Sequence, residues 1–313
     1  MEEKVQKTKS ESRIKVYYEV TKPKIWYLLV FTTFAAAITA SNIYQVEISA
    51  ATWALMLVGV ITGSAAANTL TNYHDRDIDA IMERTKNRPL PSKRIYPPEK
   101  ARDFGLVLAT IALACSFGLS YTTSFWQGII AGSLMAFGLV DNILVYSYTL
   151  KRRSWTNIIL GGFSGGAPAM IGYVAVTMDG LWSLGLMMGA LVFVWIPMHI
   201  WALTLHFKED YNKVNVPMLT AVRSEKDSVR IIAGTTLMMV LFSVVPFFLT
   251  LENGEPMMGP VYLYTAIASG VLMVILSIWV MVKPSEKASW TLFKFSSPYL
   301  AVLFIALMVD SAL

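Results

Sequence analysis

Between Asn68 and Pro91 the chain reads NTLTNYHDRDIDAIMERTKNRPLP, which sets a row of amides and acids at the end of an otherwise apolar segment. Wound as a helix at 100° per residue, Asn68, Asn72, Asp75 and Asp79 fall within an arc of roughly 60°, so their oxygens share a face. Hard oxygen donors suit Mg²⁺, which proteins commonly hold by one or two carboxylates together with a substrate's phosphates. One reading is a helix end that carries Mg²⁺ and a diphosphate at a membrane surface. The other is a solvated helix end in which Asp75, Asp77 and Asp79 pair with Arg76 and Arg84. Both fit this segment taken alone.

Two further stretches carry polar groups where apolar ones are expected. Residues 194–219, VWIPMHIWALTLHFKEDYNKVNVPML, place Glu209 and Asp210 just beyond an apolar run, much as Asp75 to Asp79 follow theirs. A second acidic site facing the first is one possibility, and a loop acid paired with Lys208 or Lys213 is the other. His199 lies about seven residues inside the run, two turns before His206, and intramembrane ionisable groups generally face a cavity or a partner. It could ligate heme iron, carry a proton, donate to a polar substrate group, or bond a neighbouring helix. In residues 141–162, DNILVYSYTLKRRSWTNIILGG, Asp141 and Asn142 sit two to three turns into the membrane. Helical spacing would let Asn142, Tyr146 and Thr149 line a polar cavity. Lys151, Arg152 and Arg153 fit a cytoplasmic anchor. The following GGFSGGAP, residues 161–168, lies in an apolar run without strand context, so it is read as a close-packing face and not a phosphate loop.

The elements that position these residues are membrane spans. The composition is 55% hydrophobic and 15% charged over 313 residues, which marks an all-α polytopic membrane protein. Apolar runs of about 20 residues occur at 25–43, 50–73, 102–122, 125–147, 155–176, 182–205, 230–250, 260–282 and 291–312. They give about nine transmembrane helices in a single domain, 25–313, after a cytoplasmic arm, 1–24. The first run is too long and uninterrupted for a cleaved signal and is expected to remain. Charge supports this count, because Lys and Arg collect in cytoplasmic loops. All 26 fall in the N-terminal arm or in the stretches 76–102, 151–153, 208–230 and 283–294, and none in the alternate connections around Glu47, Tyr121, Asp179 and Glu252 to Glu255. Nine spans with the N-terminus inside and the C-terminus outside reproduce that alternation. The pI near 9.1 then reflects topology and anionic lipid, not nucleic acid. Cys115 stands alone, which excludes an internal disulfide or a cysteine-based metal site.

NYHDRDIDAIMERTKNRPLP at 72–91, YTLKRRSWTNIILGGFSGGAP at 148–168 and PMHIWALTLHFKEDYNKVNVPML at 197–219 together resemble the UbiA-type intramembrane prenyltransferases. The likeness runs from about Pro23 to the last spans. The first acidic pattern of that family, N-D-x-x-D-x-x-x-D, falls on Thr71, Asn72, Asp75 and Asp79, and the second, D-x-x-x-D, on His206 and Asp210. The Pro-Met-His-x-x-Ala-Leu arrangement around His199 looks like the branch that farnesylates heme. The resemblance implies nine helices around a lipid-accessible cavity, Mg²⁺ as cofactor, and heme B and farnesyl diphosphate as substrates in a cell membrane. It implies that Asp75 and Asp79 hold the metal with Asn68 or Asn72, helped by Asp210. Lys151 and Arg152 would clamp the diphosphate with Arg88 beside them. His199, His206, Asn142 and Tyr146 would meet heme. Heme-handling or oxidase-assembly membrane proteins are the implied protein partners. Two alternatives stand beside this: prenylation of a quinone precursor or other ring acceptor, and a proton-coupled transporter using Asp141 and His199.

The charge segregation makes a direct prediction. Reporters fused after Arg94, Arg153 and Arg223 should read cytoplasmic, and those after Glu47, Asp179 and Glu255 external; a cytoplasmic reading at Glu255 breaks the nine-span count.

Overall fold

A computed structural model describes residues 12–251, 254 and 256–313 of the chain, and among them it contains helices and no strands. Glu255 and the first eleven residues of the arm lie outside the described residues. A short helix, α1 (Arg13–Val20), leads into α2 (Pro23–Tyr44) and α3 (Ala50–His74). The acid-bearing turn α4 (Arg76–Ile81) and a long loop reach α5 (Glu99–Gly118), which returns through α6 (Phe125–Val140). The chain then continues as a wide π-helix, Asp141–Leu150. Two short helices, α7 (Asn157–Leu160) and α8 (Ala167–Val174), precede the long α9 (Leu186–His206). The second charged loop holds α10 (Lys208–Lys213) and α11 (Leu219–Val222). The bundle closes with α12 (Glu225–Phe248), α13 (Pro260–Val282) and α14 (Glu286–Asp310).

Eight helices among the described residues are long and apolar enough to cross a bilayer, one fewer than the nine apolar runs. The difference is the run 155–176. It is there, but built from α7, a single 3-10 turn at Phe163–Gly165, and α8. It still runs the length of the neighbouring span. The Asn157 side-chain amide donates to the carbonyl of Lys151 at one end (3.4 Å), and Gln127, in the first turn of α6, donates to the carbonyl of Val174 at the other (2.9 Å). The glycines and Pro168 of GGFSGGAP explain the break, since neither residue type favours a helix interior. Two of the glycines nearby are also contact points: a Cβ on Gly166 would stand 2.5 Å from the carbonyl oxygen of Gly189, and one on Gly172 would strike the carbonyl of Thr33. Expectation and structure agree here that the segment packs closely.

Irregular backbone within a membrane must find its hydrogen-bond partners inside the protein. Asp141 supplies one. Its buried carboxylate accepts the Ser164 N–H at 2.9 Å, within the 3-10 turn, while the Thr33 hydroxyl donates to the carbonyl of Pro168 at 3.0 Å. The intramembrane acid that invited a proton-transport reading is thus engaged in holding the broken span. The π-helix also changes an expectation. Its wider turns place Thr149 on the exposed side, where its hydroxyl returns to the carbonyl of Leu144 (2.8 Å), so Thr149 does not join Asn142 and Tyr146.

Serines start several of the spans, with side chains accepting a backbone N–H of the first turn: Ser49 for α3, Ser124 for α6, Ser224 for α12 and Ser285 for α14. At Ser124 the exchange is reciprocal, because the Gln127 side chain accepts the N–H of Ser124. The described part of the arm is docked: Val16 and Val20 pack with Leu90, Ile95 and Ala101 in a small core of their own beside the acid-bearing loop.

Replacing Asp141 by alanine strands the Ser164 N–H in an apolar setting and should cost about 1–3 kcal/mol of stability. Asp141→Asn keeps an acceptor and should lose less. Thermal unfolding in detergent measures both; an unchanged melting temperature for Asp141→Ala would detach the carboxylate from the broken span.

Candidate functional site

The last turn of α3 runs straight into α4, with Asp75 as the junction (φ −86°, ψ 3°). Asp75 and Asp79 are buried, 3% and 4% exposed, whereas Asp77 between them faces out. Each acid has a cation, and the partners are not Arg76 and Arg84. Lys151, just past the π-helix, forms a close ion pair with Asp75 Oδ2. Arg88 from the first loop donates to Asp79 Oδ2 at 2.7 Å and reaches Asn72 Oδ1 at 3.5 Å. Arg152 grips both oxygens of Asp77 (2.8 and 2.7 Å), donates to the carbonyl of His74, and approaches Asp75 Oδ1 at 3.9 Å. Arg76 instead caps the carbonyl of Tyr73, and Arg84 bonds the hydroxyl of Tyr211.

These pairs act on protonation as expected. The hydrogen bonds from Arg152 bring the Asp77 carboxyl down to about 2. Burial works against the Lys151 ammonium, but Asp75 beside it more than offsets that and holds its pKa above the ordinary lysine value. A fourth cation, Lys22, is half-buried at the junction of α1 and α2. Burial brings it down to about 7, with Arg88 and Lys151 pushing the same way and Asp79 and Asp75 opposing. Reading the sequence for acids missed Lys22. Its signal was the Lys-Pro step that opens the first span.

The two amides divide. Asn72 is committed, since its amide donates to the carbonyl of Val20 at 2.7 Å while its oxygen faces Arg88. Asn68 donates to the carbonyl of Ser64 (2.9 Å) and lines a cavity of about 110 Å³ with Asn142 and Ser164. Apart from Ser64, the rest of that wall is made of glycine and apolar residues, Leu29, Val60 and Leu139 among them. Tyr146 stands beside Lys151, whose Nζ lies 5.8 Å from the ring centre. Asp210 does not meet the other acids. Its carboxylate accepts the backbone N–H groups of Glu83 (3.2 Å) and Arg84 (3.0 Å), with Lys213 at 3.8 Å. The second loop therefore holds the first.

His199 and His206 belong to a column of rings between α9 and α14. Trp195 stacks on His199 (4.1 Å between centres), His199 on Phe293 (4.4 Å), Phe293 on Trp290 (5.1 Å) and Trp290 on His206 (4.7 Å). The hydroxyl of Ser296 lies 2.7 Å from the carbonyl of Phe293 and 2.6 Å from His199 Nδ1, so when it donates to the carbonyl it accepts from the imidazole. His206 Nδ1 faces the carbonyl of Glu286 at 3.1 Å and must likewise carry the proton. With Nδ1 carrying the proton, each neutral ring keeps a lone pair on Nε2, the arrangement a metal-ligating histidine needs.

Among the described residues no three acidic, histidine or cysteine side chains converge as a ready metal cage. The donors nonetheless suit a divalent cation of the Mg²⁺ kind. Asp75 Oδ1 is buried without a hydrogen-bond partner, Asp79 is buried four residues on, and Asn68, two turns before Asp75, lines the cavity.

Comparison with known proteins fits this geometry. Residues 28–306 match the model of the UbiA prenyltransferase family. "Protoheme IX farnesyltransferase 2" of Cenarchaeum symbiosum is 64% identical over 309 residues, 99% of either chain. "Protoheme IX farnesyltransferase" of Thermoplasma volcanium is 39% identical and covers 95% of this chain and 98% of its own. Among solved structures, a digeranylgeranylglyceryl phosphate synthase superposes with a TM-score of 0.73 at 19% identity, covering 96% of this chain and 98% of that one. A UbiA homologue from Archaeoglobus fulgidus bound to DMAPP and Mg²⁺ gives 0.61 at 12% identity, covering 94% and 99%. At those identities the structures establish the shared fold.

The Asp210 clamp has a measurable consequence. Asp210→Ala should speed amide hydrogen exchange at Glu83 and Arg84 by about tenfold or more, as loss of two charge-assisted bonds requires. Protection unchanged at both amides would show that the clamp does not hold the loop.

Proposed function

The chain belongs to the UbiA prenyltransferase family, and on that premise we propose that it transfers the farnesyl group of farnesyl diphosphate to a vinyl group of heme B, giving heme O and diphosphate. The observation that carries the diphosphate half is the pairing of buried Asp75 and Asp79 with Lys151 and Arg88 at one membrane face. The acceptor rests on the names of the full-length relatives and on the two histidines with free Nε2 lone pairs. The chain is a multi-pass membrane protein. The segregation of Lys and Arg supports an orientation with the N-terminus in the cytoplasm and the C-terminus outside the cell membrane.

Asp75, Asp79 and Asn68 are the residues that would hold Mg²⁺, which when bound neutralises charge developing on a leaving diphosphate. Asp210 serves the site from behind, by fixing Glu83 and Arg84 four to five residues ahead of Arg88. With Asp75 and Asp79 committed to a metal, Lys151 and Arg88 would be free to bind phosphate oxygens, and Arg152 stands next to Lys151. The farnesyl C–O bond breaks with its electron pair leaving on diphosphate. The allylic cation must then be kept from water, a task for the apolar cavity wall beyond Asn68. The heme vinyl group forms the new C–C bond, and water adds to the resulting side-arm cation with loss of a proton. His199 positions heme through Nε2, braced from behind by Ser296.

Purified protein incubated with heme B, farnesyl diphosphate and Mg²⁺ should yield a heme heavier by farnesyl plus water in the mass spectrum. A prenylated quinone precursor with unchanged heme would favour the rival acceptor. Asp75→Ala and Asp79→Ala should each abolish product while the protein remains in the membrane. His199→Ala should shift the Soret band and weaken heme binding but preserve Mg²⁺-dependent farnesyl diphosphate binding; an unchanged spectrum returns His199 to a packing role.

A further inference from the structure

Lys22 occupies a conformation that lysine rarely adopts. Its φ of 52° and ψ of 64° place it in the left-handed region, directly before a proline, where steric crowding already narrows the choices. Such strain persists only where surrounding structure enforces it, and it gathers at functional positions. The enforcement is visible. The N–H of Lys22 donates to the carbonyl of Glu19 (3.1 Å), its carbonyl accepts the N–H of Ile25 (2.9 Å), and Asn72 holds the carbonyl of Val20 two residues earlier. Arg94 then ties Glu19 to the first loop through two hydrogen bonds of 2.6 and 2.7 Å. Two of these bonds set the junction of α1 and α2 itself, Asn72 ties it to α3 one turn before Asp75, and Arg94 ties it to the first loop.

The charge of Lys22 is unmatched. Arg88 is paired with Asp79, Lys151 with Asp75 and Arg152 with Asp77, whereas among the described residues no hydrogen bond or ion pair engages the Lys22 ammonium. It is nonetheless half-buried and within electrostatic reach of all four groups of the two buried pairs. A partly buried ammonium without a counter-ion is costly for the folded protein alone. That cost is recovered when an anion enters. We propose that Lys22 is a diphosphate-binding residue, its ammonium reserved for a phosphate oxygen of the isoprenyl substrate. This rests on the transferase reading above and adds to it a cation on the first span that the acid-centred motifs do not contain. Lysine suits the role as a compact charge with three rotatable donors that can follow the leaving diphosphate.

The test uses full-length protein and inorganic diphosphate with Mg²⁺ as probe, followed by calorimetry and by the melting temperature with and without probe. Lys22→Met keeps the length and apolar body of the side chain. It should weaken diphosphate binding by about tenfold or more, raise the KM for farnesyl diphosphate, and leave the ligand-free melting temperature at or above that of the wild type. Lys22→Arg, which retains the charge, should recover part of the affinity. Equal diphosphate binding by Lys22→Met and wild type overturns the proposal. So does a lowered ligand-free melting temperature shared by Lys22→Met and Lys22→Arg with affinity intact, since that marks a structural lysine. If the wild type itself fails to bind diphosphate with Mg²⁺, the transferase reading fails first.

Discussion

Two carboxylates buried at the end of a membrane helix must be neutralised, and the means of neutralising Asp75 and Asp79 organise much of this chain. An isolated buried charge would cost several kcal/mol, so each acid draws in a cation from a distant segment: Lys151 from beyond the π-helix and Arg88 from the loop. Those pairs join three parts of the sequence that spacing alone leaves unconnected. They also leave the site poised for exchange, because a carboxylate held by a cation can pass to a metal while the cation passes to phosphate. Paired acids and cations are thus compatible with a binding site, and need not signal a merely structural salt-bridge cluster.

The same demand for internal satisfaction explains the broken span. Where glycines and Pro168 interrupt the helix, Asp141, Thr33 and Gln127 supply the donors and acceptors that the helix no longer provides. Asp141 is then understood without a proton pathway. Its presence in the membrane is as polar as that of Asp75, but its partner is a backbone N–H instead of a lysine. Burial of an acid identifies a place where something needs satisfying. The partner tells what that is.

Much of this could be read in the residues. The apolar runs gave the crossings, and the helical period set Asp75 and Asp79 on one face apart from Asp77, the face that the structure buries. What spacing could not give were contacts between segments far apart in the chain. Asp210 follows its span as Asp75 follows its own, so symmetry suggested a second acidic site. The carboxylate instead grips two backbone N–H groups, a partner that no side-chain pattern records. The π-helix likewise escapes a reading at 100° per residue, which put Thr149 on the wrong side. Lys22 looked like one more residue of a basic arm, because sequence shows charge but not the absence of a counter-ion.

Charge balance bears on how the site treats its ligand. With Arg152 matched by Asp77, the buried group comprises two acids against Arg88, Lys151 and Lys22, an excess of one positive charge once an entering anion keeps Lys22, brought down to about 7 by burial, protonated. A prenyl diphosphate trianion accompanied by one Mg²⁺ brings an excess of one negative charge. Such a ligand leaves the desolvated site neutral, whereas a second Mg²⁺ would restore uncompensated positive charge unless another acid moved in. Asp210 is the nearest candidate in the sequence pattern, and it is occupied holding the loop. On the proposed reading, one metal held from the first loop would meet this balance, with cations standing where a second metal would otherwise serve. That asymmetry follows from where His206 stands in the second acidic pattern: the chain has a ring stacked on Trp290 at the position where a symmetric site would need a carboxylate.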